Sequence, residues 1–130
     1  MKNILEEIAA RTRERIAKEK SRISVSELEN RIQEVNKNAR QKITFLQALQ
    51  KDGMSYICEV KKASPSKGLI APDFPYLAIA KEYEQAGASA ISCLTEPFYF
   101  QGADQYLREI AAAVQIPVLR KDFTVDEYMI

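Results

Sequence analysis

Three short apolar runs, Ser55–Lys62, Ala88–Thr95 and Ile116–Lys121, are separated by two segments of helical pattern. No other feature of the chain restricts its fold as much. Strands that alternate with helices through short loops pair in parallel, because a parallel neighbour is reached only by a crossover, and such crossovers are right-handed. Pro75 suits a first helical turn, and Leu77 to Gln85 carries that helix on to Gly87. Asp104 opens the next helix, which holds Tyr106, Leu107, Ile110, Ala111 and Val114. The expectation is an α/β fold with a β-α-β-α-β run over residues 54–130.

Residues 1–53 read as a helical extension. Ile4, Leu5, Ile8, Ala9, Thr12 and Ile16 recur at helical spacing, with Arg11, Arg13, Arg15, Lys18 and Lys20 between them. Glu6, Glu7, Glu14 and Glu19 are interleaved with those cations, so the stretch reads as a solvated amphipathic face and not as a nucleic-acid surface. Ser26 with Glu29 fits a capping box for a second helix through Leu28, Ile32 and Val35. Thr44 caps a short third helix over Phe45, Leu46 and Leu49, with Gly53 as its stop. Thr124 with Glu127 offers a further capping box, inside whose helix the sequence ends. Three parallel strands leave uncovered sheet edges, so the expected object is the front part of something larger, with edges open to homo-oligomeric pairing.

Composition removes several function classes. A net charge of +1 gives no electrostatic case for nucleic acid or an anionic membrane. The absence of histidine excludes Ser-His-Asp and Cys-His catalysis and most zinc sites. Glu6 and Glu7 precede any apolar run, which speaks against a signal peptide, and no run approaches the ~18 apolar residues of a membrane span. Cys58 and Cys93 each lie within an apolar run, as buried free thiols do, and fit a reducing cytoplasm.

The chemistry concentrates where two strands end. In "EVKKASPSKG", Ile57, Glu59 and Lys61 share one face of the first strand while Tyr56, Cys58 and Val60 share the other. Strands of a parallel sheet are normally apolar on both faces, so a carboxylate and an ammonium at the C-terminal end need partners or a ligand. A plain solvent-facing ion pair satisfies that need as well as an active site does. The third strand, "PVLRKDF", ends on Lys121 in the equivalent place; Arg120 or Lys121 emerging into water, or pairing with Asp122, is its simpler reading. Together the two endings make an electropositive mouth with an acid-base partner, suited to an anionic substrate.

"YICEVKKASPSKG", "LTEPFYFQG" and "PVLRKDF" resemble, in order and spacing, the first three strand-loop segments of indole-3-glycerol phosphate synthases of tryptophan biosynthesis. The E-x-K-x-x-S-P-S signature is the most specific part, and the resemblance runs the length of the chain. It implies a helical extension followed by the first units of a (β/α)8 TIM barrel, incomplete at this length. It also implies a cofactor-free carboxy-lyase that cyclises 1-(2-carboxyphenylamino)-1-deoxyribulose 5-phosphate to indole-3-glycerol phosphate, losing CO2 and water. Carried onto matching positions, Lys121 is the general acid on the substrate carbonyl, and Glu59 and Lys61 serve the dehydration. Ser64 shapes the site beside the substrate, and Phe100 and Phe123 hold its aromatic ring; both phenylalanines also read as ordinary loop anchors. The resemblance further implies catalytic groups on later strands and a phosphate site after the last two, so the 130 residues alone are expected to be inactive. Two rival readings stand beside it: a non-catalytic, self-associating barrel fragment, and another phosphate-handling barrel such as phosphoribosylanthranilate isomerase.

Overall fold

The computed structural model describes residues 3–39 and 42–130, and the chain forms two compact units. One spans Lys42–Asp122; the other joins the described residues up to Ala39 with Phe123–Ile130.

The first unit is built on three parallel strands, β1 (Ile57–Val60), β4 (Ala90–Leu94) and β5 (Val118–Lys121), in the order β1-β4-β5. Ile57 pairs with Ala90, and Ile91 with Val118, so each strand lies beside the one before it. This is the parallel α/β arrangement expected from the alternation of runs and helices. Helix α4 (Tyr76–Gln85) links β1 to β4, and α5 (Asp104–Ala113) links β4 to β5. Both helices pack on one face of the sheet, where Val60, Ile91 and Cys93 meet Ala80, Ile110 and Val114 in a buried core. Leu77, Ile79, Tyr83, Tyr106 and Leu107 close over it. All five residues of β4 are buried, as a central parallel strand requires.

Pro75 stands just before α4 as its N-cap, and Asp104 lies in the first turn of α5, beside the positive end of the helix dipole. At the other end of α5 the Lys42 ammonium donates to the carbonyls of Val114, at 2.8 Å, and Ala111. It satisfies helix-end acceptors that have no partner within the helix. Glu84 from α4 accepts the amide N–H groups of Gln115 and Ile116, fixing the turn into β5. The capping box at Thr44 forms in full around the short α3 (Phe45–Leu49), with Gln47 at its third position.

The first apolar run was expected to be one strand through Lys62, but the ladder stops at Val60. From there the chain folds into a hairpin of β2 (Ala63–Ser64) and β3 (Gly68–Leu69), pinned where the Lys62 carbonyl accepts from Ile70 and Ala71. Gly68, at φ 64°, takes the left-handed conformation that this tight return demands.

In the second unit α1 (Ile4–Arg22) buries Ile8, Thr12 and Ile16 along one stripe. Helix α2 (Val25–Asn38) starts two residues earlier than expected: Ser24, not Ser26, accepts from the Glu27 amide. Both serines have a glutamate three residues on, and the earlier one gives the longer helix. No residue of α2 is buried. The capping box expected at Thr124 does not form; Asp126 caps a single 3-10 turn (Glu127–Met129) instead. Asp126 also pairs with Lys20 at 2.7 Å, and the Tyr128 hydroxyl donates to the Ile23 carbonyl, tying this turn to α1.

Candidate active site

Parallel strands in register bring their C-terminal ends to one side of the sheet. Glu59 lies beside Ser92, Ser92 beside Leu119, and Leu94 beside Lys121, all on the face turned away from α4 and α5. Glu59 is the centre of the arrangement. One carboxylate oxygen pairs with Lys61 at 3.2 Å, and the other accepts from Lys121. Partial burial alone would raise the Glu59 carboxyl, but the hydrogen bonds and charges of Lys121 and Lys61 outweigh it and hold the group below the ordinary glutamate range. One anion between two cations leaves the cluster a net positive charge at the end of the sheet. The Tyr83 hydroxyl donates to the Glu59 backbone carbonyl at 3.0 Å, anchoring this part of β1 to α4.

Arg120 goes the other way. Its guanidinium lies on the helix side, donating to the Thr95 hydroxyl and to Asp104, both at 3.3 Å. Asp122 accepts from that hydroxyl at 2.7 Å and pairs with Arg120, not with Lys121. Of the two cations that end β5, therefore, one belongs to a structural network at the start of α5 and the other to the cluster at Glu59. Strand alternation alone decides which.

The remaining candidates are placed differently. Ser64 is buried in the hairpin turn, where its Oγ accepts the Lys67 amide at 3.2 Å and lies 3.5 Å from Ser66 Oγ. Phe100 is half-buried in the loop that leaves β4 at the same end of the sheet as Glu59 and Lys121. Phe123 falls in the other compact unit and is half-buried there. A shallow apolar hollow lined by Tyr56, Cys58, Tyr83 and residues 86–88 lies on the helix side of β1 and holds none of the candidate residues.

Glu96 was not among the expected residues, yet it is 1% exposed and its carboxylate collects the amides of Phe98, Tyr99 and Phe100. The signal was present: a lone acid directly after the run Ala88–Thr95 and before a proline, in "LTEPFYF". Of the Thr95–Asp122–Arg120–Asp104 network, only the Arg120–Asp122 pairing was among the expectations. Thr95 and Asp104 lie too far from them in sequence to be joined to that pair without the register.

A family model described as Indole-3-glycerol phosphate synthase matches residues 5–130. The chain belongs to that family. Among curated relatives of that name, the protein of Lacticaseibacillus paracasei is 52% identical over 127 residues. That of Ruminiclostridium cellulolyticum is 51% identical over 128, and that of Aliarcobacter butzleri 47% over 127. Each match takes in 98% of this chain and 48% of the relative. The chain thus spans about half the length of the indole-3-glycerol phosphate synthases it matches, and its three-stranded parallel sheet is consistent with part of a barrel. Among the described residues no helix is long and apolar enough to cross a membrane.

Proposed function

We propose that this chain supplies the first catalytic groups of an indole-3-glycerol phosphate synthase, acting on a small substrate that carries phosphate and carboxylate. The observation that carries the reading is the Glu59 carboxylate held between the ammonium groups of Lys61 and Lys121 at the C-terminal end of a parallel sheet. Active sites of (β/α)8 barrels form at that end. The reaction joins the aryl carbon that bears the carboxylate to the substrate's ketone carbon, with loss of CO2 and then of water. Lys121 gives its proton to the ketone oxygen as the ring closes. Glu59 and Lys61 serve the departure of that oxygen as water, and Lys61 also draws the anionic substrate in. Ser64 shapes the wall beside β1, and Phe100 offers an apolar surface to the aromatic ring. Two free cysteines support the reading that it works in a reducing cytoplasm.

In a synthase of full family length carrying this sequence, Lys121→Ala is expected to lower kcat by about 10²–10⁴-fold, the usual worth of a general acid, with a smaller change in KM. Near wild-type turnover in a steady-state assay for the indole product would remove Lys121 from that role.

The 130 residues alone are expected to turn nothing over and to self-associate. The outer sides of β1 and β5 have no strand partner among the described residues, and Ile57 and Leu119 are 49% and 45% exposed. Leu94 is buried and adds nothing to that apolar surface. Light scattering that reports a monomer across a concentration series would refute the association, and product formed by the isolated chain would refute the inactivity.

A further inference from the structure

The loop after β4 carries three aromatic residues in succession, Phe98, Tyr99 and Phe100, and one side chain holds all three in place. Glu96 Oε1 accepts from the Phe98 amide at 2.9 Å, and Oε2 accepts from the amides of Tyr99 and Phe100 at 2.7 and 3.0 Å. Its carbonyl accepts from Gly102 at 2.8 Å, so both ends of the loop close on one residue. The closure is tight. A Cβ on Gly102 would stand 2.4 Å from the Leu94 carbonyl oxygen, and Gln101 takes a φ of 51°. A glutamate 1% exposed is seldom kept for packing alone, since a neutral apolar residue fills the same space without losing the hydration of a charge.

We propose that Glu96 is the positioning residue of the aromatic loop. Its carboxylate fixes the backbone of residues 98–100 so that Phe100 meets the substrate's aryl ring as a preformed wall. This rests on the reading of the site given above. Glu96 touches no substrate; it acts through the loop. The chemistry requires the charge: two oxygens that only accept can gather three N–H donors. Glutamine has the same shape but only one accepting oxygen, and it would turn an NH2 group on those donors. Aspartate keeps both oxygens on a stem one methylene shorter.

The two variants therefore separate charge from packing. Amide hydrogen exchange on the 130-residue chain reads the loop directly. Glu96→Gln should speed exchange at Phe98, Tyr99 and Phe100 while β4 and α5 stay protected, and Glu96→Asp should restore part of the protection. If Glu96→Gln loses protection throughout β4 and α5, Glu96→Asp decides: protection kept at 98–100 supports the proposal, and its loss there alone overturns it. In the full-length synthase, a wall that binds ground state and transition state alike predicts that Glu96→Gln raises KM roughly tenfold or more, with kcat changed little and Glu96→Asp between. Wild-type kinetics in Glu96→Gln, or an Asp variant worse than the Gln variant, would show a packing role and overturn the proposal. A full-length wild type that turns nothing over would defeat the functional reading instead, while the exchange result still stands for the loop.

Discussion

Strands β4 and β5 lie side by side, run the same way and are close in length, yet they share almost nothing in character. Every residue of β4 is buried, from Ala90 and Ile91 at 0% to Ser92 at 7% exposed. Along β5 burial alternates: Val118 and Arg120 turn toward the helices, Leu119 and Lys121 toward the open face. β1, on the other flank, carries its charge at Glu59 in the same manner. The centre of the sheet is buried throughout, and its flanks carry the charged groups Glu59 and Lys121 on the open face. On the flanking strands the separation is by face: Val60 and Val118 pack toward the helices, while Glu59 and Lys121 stand on the open side.

The sharpest way to break this contrast is a pair of truncations. Ile91→Ala empties a fully buried site and is expected to cost about 2–5 kcal/mol in urea unfolding, whereas Leu119→Ala, at a half-exposed one, should cost below about 1 kcal/mol. Equal costs would mean that the open face is as tightly packed as the core.

A second contrast lies in the thiols, one on each of two neighbouring strands. Burial pushes the Cys93 thiol on β4 up to about 11 from its ordinary 9.0, which leaves roughly a hundredfold less of the reactive thiolate at neutral pH. Cys58 on β1 is only half-buried. A thiol reagent should therefore modify Cys58 in the folded chain and reach Cys93 only on unfolding; equal labelling of both would contradict the difference between the strands.

The smallest effect belongs to the ion pairs. The Glu59 carboxyl is lowered in the folded chain from 4.5, so its contribution is fully present above that value and is lost as pH falls through the lower folded value. Glu59→Gln should accordingly flatten the acid limb of stability below about pH 4.5 and leave the neutral range little changed. Acid limbs that superpose would show that the paired carboxylate adds nothing to the fold.

What could be read from the residues alone follows from range. Alternating runs gave the parallel strands and their helices, because period and length are local properties. The face shared by Glu59 and Lys61 was equally legible, and the chain's register then brought Lys121 to the same carboxylate. The first strand's end was misjudged because Lys61 and Lys62 extend the run in sequence while the Lys62 carbonyl is taken by the hairpin return from Ile70. At α2 two overlapping serine-glutamate pairs fit the same rule, and only the folded chain chooses Ser24. Glu96 escaped notice for a different reason. The lone acid before the proline was visible, but its partners are backbone amides, which carry no residue identity, so the sequence named no role for it.

The sequential order of the sheet bears on how such a chain is made. Ile57 meets Ala90 and Ile91 meets Val118, each partner only one helix further along, so no pairing waits for a distant segment. A chain leaving the ribosome can lay β4 against a finished β1, cover the seam with α4, and repeat the step with β5 and α5. Domains that fold during synthesis proceed from the N-terminal side in this way, and contacts of short sequence separation form fastest. Each addition completes one seam and exposes one new edge, so of the two open edges one stays at β1 while the other passes to the strand most recently synthesised.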